Sequence, residues 1–90
     1  MGTVRVRAIV SGQVQGVWYR QSCRQVAEAE GVHGWVGNNV DGTVEAVLEG
    51  DEEAVERVLA WMRSGPPRAV VEELRRTDEA PRGEAGFTIK

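Results

Sequence analysis

The sequence predicts an α+β ferredoxin-like sandwich: an antiparallel sheet with two helices on one face, in the order βαββαβ, closed by a short C-terminal strand. Three observations predict it. Apolar residues alternate with period two in separate short runs, two helical stripes fall between those runs, and 90 residues suffice for one core but not two. The chain is therefore read as a single domain over residues 1–90. Both crossovers pass through helices, so both helices are expected on the same face of the sheet.

The first strand spans residues 3–11. Val4, Val6, Ala8 and Val10 face one way, and Arg5, Arg7, Ile9 and Ser11 the other. Two arginines on one face predict that this face is partly open to water. Residues 12–17 do not continue the alternation and read as a loop. A helix begins at Trp18 or Tyr19 and runs to Glu30, with Tyr19, Cys23, Val26 and Ala27 at helical spacing and Gly31 as its stop. Residues 32–39 and 43–49 form a hairpin around Val40-Asp41-Gly42, where Asp-Gly suits a tight turn. Gly50-Asp51 opens the second helix. Its stripe of Val55, Val58, Leu59 and Met62 is a clean i, i+3, i+4, i+7 pattern. Asp51, Glu52 and Glu53 sit at its positive end, and Gly65-Pro66-Pro67 ends it. The fourth strand spans residues 69–77. Val71 and Leu74 are three apart there, which predicts a bulge or a twist. Residues 78–85 form a polar loop, and residues 86–90 a short last strand with Phe87 and Ile89 on one side.

Composition removes several classes of function. A net charge of -3 argues against a general nucleic-acid binder, although one arginine can still dominate a small pocket. A single cysteine, Cys23, excludes an intramolecular disulfide and a multi-cysteine metal site. No run approaches the ~18 apolar residues of a membrane span, and the N-terminus has no signal-peptide core. The expected compartment is the cytoplasm, without a membrane partner. No long apolar surface stripe is left over, so a monomer is expected.

The stretch SGQVQGVWYRQSC, residues 11–23, carries the chemistry. A strand–loop–helix junction leaves backbone N–H groups without partners at the positive end of a helix. Gly12 and Gly16 allow the loop to bend and add N–H groups into a nest for an anion. Arg20 could close its guanidinium over the same anion, since its fork matches phosphate oxygens bidentately. The competing reading is a tight glycine turn with a surface arginine paired to an acid. A nucleotide-binding loop is excluded, because Gly16 is followed by Val17-Trp18 rather than Lys-Ser/Thr. Cys23 lies one helical turn beyond Arg20 and reads as a small buried residue, not a nucleophile. His33, the only histidine, reads as structural or exposed. In the hairpin, Asn39 reads as a turn residue. Asn38 shares the face of Val36, and its amide can both donate to and accept from a water. Trp18, beside the cradle, could line an apolar acyl pocket or pack structurally.

These two blocks, G-Q-V-Q-G-V-W-Y-R at residues 12–20 and G-W-V-G-N-N-V-D-G-T-V-E at residues 34–45, resemble the acylphosphatase family, and the similarity extends over the whole chain. The resemblance implies hydrolysis of the carboxyl-phosphate bond of an acyl phosphate to a carboxylate and inorganic phosphate, with no cofactor or metal. It places the family's catalytic arginine on Arg20 and its catalytic asparagine on Asn38, which would orient the attacking water. It places the backbone N–H cradle on Gln15, Gly16, Val17, Trp18, Tyr19 and Arg20. A reactive leaving group fits a site without a histidine base, a thiol nucleophile or paired carboxylates.

Two other readings remain open at this level. A ferredoxin-like binding module could keep the loop for a small anion without turnover. An RNA-binding sheet shares the βαββαβ order, but needs aromatic and basic residues on the open face. Arg5 and Arg7 could lie there, yet the chain has only five aromatic residues.

Overall fold

The computed structural model describes residues 2–90. Seven elements follow in the expected order: β1 (Thr3–Gln13), α1 (Tyr19–Ala29), β2 (His33–Asn38), β3 (Val44–Asp51), α2 (Glu52–Met62), β4 (Val70–Glu79) and β5 (Phe87–Ile89). The strands form one sheet in the order β4-β1-β3-β2-β5. The pairings of β1 with β3 and β4, and of β2 with β3, are antiparallel. β5 runs parallel to β2, so the sheet is mixed at that edge, where the sequence reading had an antiparallel sheet and no partner for the last strand.

One face of the sheet meets both helices. Val6, Ala8 and Val10 of β1 and Val44, Ala46 and Leu48 of β3 are all buried there. The α2 stripe of Val55, Val58, Leu59 and Met62 is fully buried against them. Burying each of these four side chains contributes roughly 1.5–3 kcal/mol relative to exposure. From α1, Tyr19, Cys23 and Ala27 complete the layer. Gly31, at φ 72°, stops α1 as expected.

Several boundaries differ from the sequence reading. β1 continues past Ser11 to Gln13 instead of giving way to a loop at Gly12. Gly12 makes this possible: at φ 121°, a Cβ on it would stand 2.1 Å from the Val70 carbonyl oxygen, so only glycine lets β4 approach. Ser11 pairs with Glu73 and Gly12 with Val71, which leaves Glu72 as the extra residue of a bulge. The three-residue spacing of Val71 and Leu74 marks that place. β3 runs through Gly50 to Asp51, and α2 starts only at Glu52. β4 reaches Glu79, two residues beyond the expected end, because Arg5 of β1 pairs with Glu79 there.

The other face is not simply open to water. Arg5 is 2% exposed, and residues 80–86 cross over it. Its guanidinium meets Glu79, Glu49 and Glu84 at 2.9, 3.1 and 2.9 Å. Arg7 bonds to Glu79 at 2.7 Å and also pairs with Glu45. Further along, Lys90 lies with its Nζ 3.9 Å from the centroid of Trp35. Both arginines that an RNA-binding face would have used are therefore engaged by carboxylates. No helix among the described residues is long and apolar enough to cross a membrane.

Candidate active site

Several strand ends and one helix start meet at one end of the sheet. Val10 of β1, Val44 of β3 and Asn38 of β2 stand in one row of the register. Ile89 of β5 pairs with Val36, two residues before Asn38 on the parallel neighbour. β1 leaves the sheet just beyond this row, and residues 14–18 carry the chain into α1.

Two left-handed residues shape that connection. Gly16 has φ 74°, and no atom lies within 4 Å of a Cβ built on it, so backbone conformation rather than space demands glycine. Trp18, the N-cap residue of α1, has φ 65° and ψ 20° and gives the helix no side-chain cap. That conformation costs a non-glycine residue roughly 1–2 kcal/mol. The first helical bond closes from the Ser22 N–H to the Trp18 carbonyl at 3.0 Å. Among the described residues, the N–H groups of Gln15, Gly16, Val17, Trp18, Tyr19 and Arg20 find no acceptor. The first turn of α1 has no acidic residue, whereas α2 has Glu52 and Glu53 in its own. The positive end of α1 thus keeps its partial charge available to an anion.

Arg20 stands in this first turn, half-buried. Three of the described arginines are buried or half-buried: Arg5, Arg7 and Arg20. The first two are ion-paired, and Arg20 alone meets no carboxylate among the described residues. The reading of this arginine as a paired surface residue is therefore removed. A cleft of about 360 Å³ opens here, lined by Val14, Gly16, Trp18, Tyr19, Arg20, Gln21 and Ile89. It gathers four of the expected cradle residues. Gln15 and Val17 belong to the same loop but do not line it, and neither does Asn38.

The neighbouring side chains have other work. The Tyr19 hydroxyl donates to the Met62 carbonyl at 2.6 Å, and its ring packs 5.3 Å from Trp61. Burial pushes its phenol above the usual value, so Tyr19 anchors α1 on α2 and leaves only its N–H for the loop. Burial also pushes the Cys23 thiol up to about 12, which keeps it neutral and unreactive. His33 accepts the Gly86 N–H at Nδ1, 2.8 Å away, and ties down the start of β5. Its role is structural.

Asn39 is the turn residue it was read to be. Its N–H donates to the Thr43 carbonyl at 2.8 Å, and its side-chain amide to Thr43 Oγ1 and a Glu45 oxygen. Asn38 is exposed, and its side chain makes no hydrogen bond among the described residues. Sequence reasoning missed the side chain of Gln15. Its Nε2 donates to the Asn39 carbonyl at 2.9 Å and the Thr43 carbonyl at 3.0 Å. One amide thus ties the loop that bears the N–H groups to the hairpin that bears Asn38. No local signal marks this, because the partners are backbone atoms 24 and 28 residues away.

Comparison with known proteins points the same way. The acylphosphatase family model matches residues 6–89. An acylphosphatase of Gloeobacter violaceus is 50% identical over 86 residues, covering 96% of this chain and 92% of the relative. One from Thermococcus kodakarensis is 47% identical, covering 99% of this chain and 98% of its own length. The crystal structure of an acylphosphatase from Bacillus subtilis superposes with a TM-score of 0.94 at 33% identity, covering 97% of this chain and 98% of that one.

Proposed function

The chain belongs to the acylphosphatase family and is a hydrolase of acyl phosphates; we propose here how its geometry performs that reaction. One observation carries the reading. A half-buried arginine, Arg20, stands in a run of six backbone N–H groups that meet no acceptor among the described residues, at a helix end whose first turn holds no acid.

The phosphoryl group of the substrate sits in this cradle, its oxygens held by the N–H groups of residues 15–20 and by the Arg20 fork. Asn38, at the same end of the sheet, accepts a hydrogen bond from a water and holds its oxygen towards phosphorus. Its place in the register and the resemblance of its block support this role, although it stands outside the lining of the cleft. The water oxygen forms a bond to phosphorus as the bond from phosphorus to the bridging oxygen breaks. That electron pair leaves with the carboxylate, and the water's proton passes to a phosphoryl oxygen. Carboxylate and inorganic phosphate are the products. The carboxylate is a stable leaving group, so positioning and charge stabilisation supply the catalysis without a protein base. We also expect no metal requirement, a cytoplasmic location and a monomeric state. The large exposed apolar residues among those described, Trp18, Val40 and Val70, lie on a loop, a turn and an edge strand.

Hydrolysis in water enriched in oxygen-18 tests the bond that breaks. Label should appear in the phosphate; label in the carboxylate would mean attack at carbon and overturn the scheme. Asn38→Ala should lower kcat by about 10²-fold, the scale set by losing one oriented polar group, with inhibition by phosphate intact. Weaker phosphate inhibition with unchanged kcat would reverse the assigned role. Activity should persist in EDTA.

A further inference from the structure

Charge is spread unevenly along this chain, and the uneven part borders the cleft. None of its 14 aspartates and glutamates falls in residues 11–27 or 57–71, although these two stretches carry Arg20, Arg24, Arg57, Arg63 and Arg68. The excess of acid behind the net charge of -3 therefore lies elsewhere. Asp51, Glu52 and Glu53 crowd the far end of the sheet, where Asp51 pairs with Thr3 at the start of β1. The cradle follows the other end of β1.

The two acid-free stretches meet in space. Gln13, the last residue of β1, pairs with Val70, the first of β4, and Val14 just beyond lines the cleft. Arg68 stands two residues before Val70. A Cβ built on Gly65 would lie 2.7 Å from the ring of Tyr19 and 3.1 Å from the Ala69 Cβ, so this turn folds against a residue that lines the cleft. The Ala69 N–H donates to the Pro66 carbonyl at 2.9 Å and closes the turn. Arg63 follows Met62, whose carbonyl accepts the Tyr19 hydroxyl. Arg63 and Arg68 are exposed, and neither meets a carboxylate among the described residues. Arg24 and Arg57 differ in this, for they pair with Glu28 at 3.3 Å and Glu30 at 2.7 Å. On the hairpin side, Asp41 is taken up within its own turn by the N–H and hydroxyl of Thr43.

We infer that Arg63 and Arg68 form a positive rim that draws the anionic substrate to the cleft without touching the reacting atoms. The inference rests on the phosphoryl-cradle reading above and adds two residues to it. Several charges of one sign around a cleft raise the local concentration of an anion and its rate of encounter. The Debye length is ~10 Å at 0.1 M salt and ~3 Å at 1 M, so this attraction belongs to dilute salt and fades in concentrated salt. Arg20 differs, because a half-buried guanidinium in contact with the phosphoryl oxygens is screened much less. Salt dependence therefore separates the rim from the cradle.

Steady-state hydrolysis of benzoyl phosphate, at ionic strengths from about 0.02 M to about 1 M, tests the rim. For the parent protein kcat/KM should fall as salt rises, with kcat nearly constant. Arg63→Ala combined with Arg68→Ala should lower kcat/KM about fivefold in dilute salt, just below the range that full steering supplies, with kcat held within about twofold. The two proteins should converge at high salt. Arg63→Lys combined with Arg68→Lys should keep the parent profile, since charge and not the planar fork is used. Arg75→Ala combined with Arg82→Ala removes the same charge elsewhere and should leave kcat/KM in place. Equal losses in the two double-alanine proteins would mean that net charge alone acts, and a loss that persists at high salt would mean a structural effect. Either result overturns the rim, as does the absence of any loss. Calorimetric titration with inorganic phosphate repeats the comparison without turnover. A salt-dependent difference in phosphate affinity, in proteins that hydrolyse no acyl phosphate, would refute the reaction and leave the rim standing. Hydrolysis by the parent protein with no such difference would do the reverse.

Discussion

Two stretches of this chain set backbone N–H groups beside an arginine, and they differ in what meets those donors. In residues 82–84, the N–H groups of Arg82, Gly83 and Glu84 donate to the carboxylate of Glu49 at 3.0, 2.6 and 3.1 Å. Arg5 bonds the same carboxylate from the sheet side. Burial alone would raise the Glu49 carboxyl, but the N–H groups of Arg82 and Gly83 together with Arg5 outweigh it and hold the group below its ordinary value. In residues 15–20 the same kinds of donor lie beside Arg20 in the chain, and no carboxylate among the described residues reaches them. Each stretch contains a left-handed glycine, Gly83 at φ 82° and Gly16 at φ 74°. Local backbone therefore does not separate a clamp from a substrate cradle. What separates them is whether a neighbouring strand supplies the anion. β3 supplies Glu49 to the first. For the second, the neighbouring hairpin presents the neutral Asn38 and Asn39, and in the proposed mechanism the anion is the substrate's phosphoryl group.

Removing the arginine from each stretch should therefore have opposite consequences. Arg20→Ala should lower kcat/KM by at least ~10²–10³, with weaker inhibition by phosphate and an almost unchanged Tm, since no bond within the fold is lost. A large fall in Tm would show that Arg20 belongs to the scaffold. On the other side, Glu49→Ala leaves Arg5 and three N–H groups buried without their shared acceptor. A loss of about 3 kcal/mol is expected, a fall in Tm of more than about 10 °C by thermal unfolding, with phosphate inhibition of the folded protein preserved. If both variants lost stability alike, the two stretches would be the same kind of feature.

The strand–loop–helix turn of the proposed cradle was legible in the sequence because its parts are local. Gly16, the unusual run before Arg20 and the start of α1 lie within a few residues, and alternation places them after a strand. The bulge on β4 was also legible, from the spacing of Val71 and Leu74. The clamp was not. Arg5 and Glu49 are 44 residues apart, and each alone reads as an ordinary charge on an open sheet face. Only the register of β1 against β3, which pairs Arg5 with Glu49, makes them partners. The extension of β1 to Gln13 escaped for a related reason. Gly12 and Gln13 show no alternation, and their strand conformation comes from β4 across the bulge. Long-range pairing, not local preference, decides such features.

The Gln15 amide joins a cradle residue to the hairpin carbonyls, so it tests how far the cradle depends on its neighbour. Gln15→Ala removes both hydrogen bonds and leaves the Gln15 N–H in place. Turnover should fall about tenfold, as expected when a misplaced group costs near 1.4 kcal/mol, with little change in the inhibition constant of phosphate. Equal losses in kcat and in phosphate affinity would instead mean that Gln15 shapes the cradle itself.

The smallest effect expected is on the clamp side and concerns acid. Hydrogen bonds from Arg7 and then from Arg5 hold the Glu79 carboxyl at about 2, against 4.5 for an unperturbed glutamate. The folded state thus favours ionised Glu79, and its contribution to stability is complete above pH 4.5. As the pH falls from 4.5 towards 2, the unfolded chain takes up a proton that the folded chain refuses, and stability declines through that window. Glu79 is partly exposed, so solvent screens the pair and the decline attributable to it is modest. Urea unfolding followed across this range should show a shallower decline for Glu79→Gln than for the parent protein. Parallel curves for the two proteins would mean that Arg5 and Arg7 stabilise the fold through Glu49, Glu84 and Glu45 alone, and that Glu79 adds nothing to the clamp.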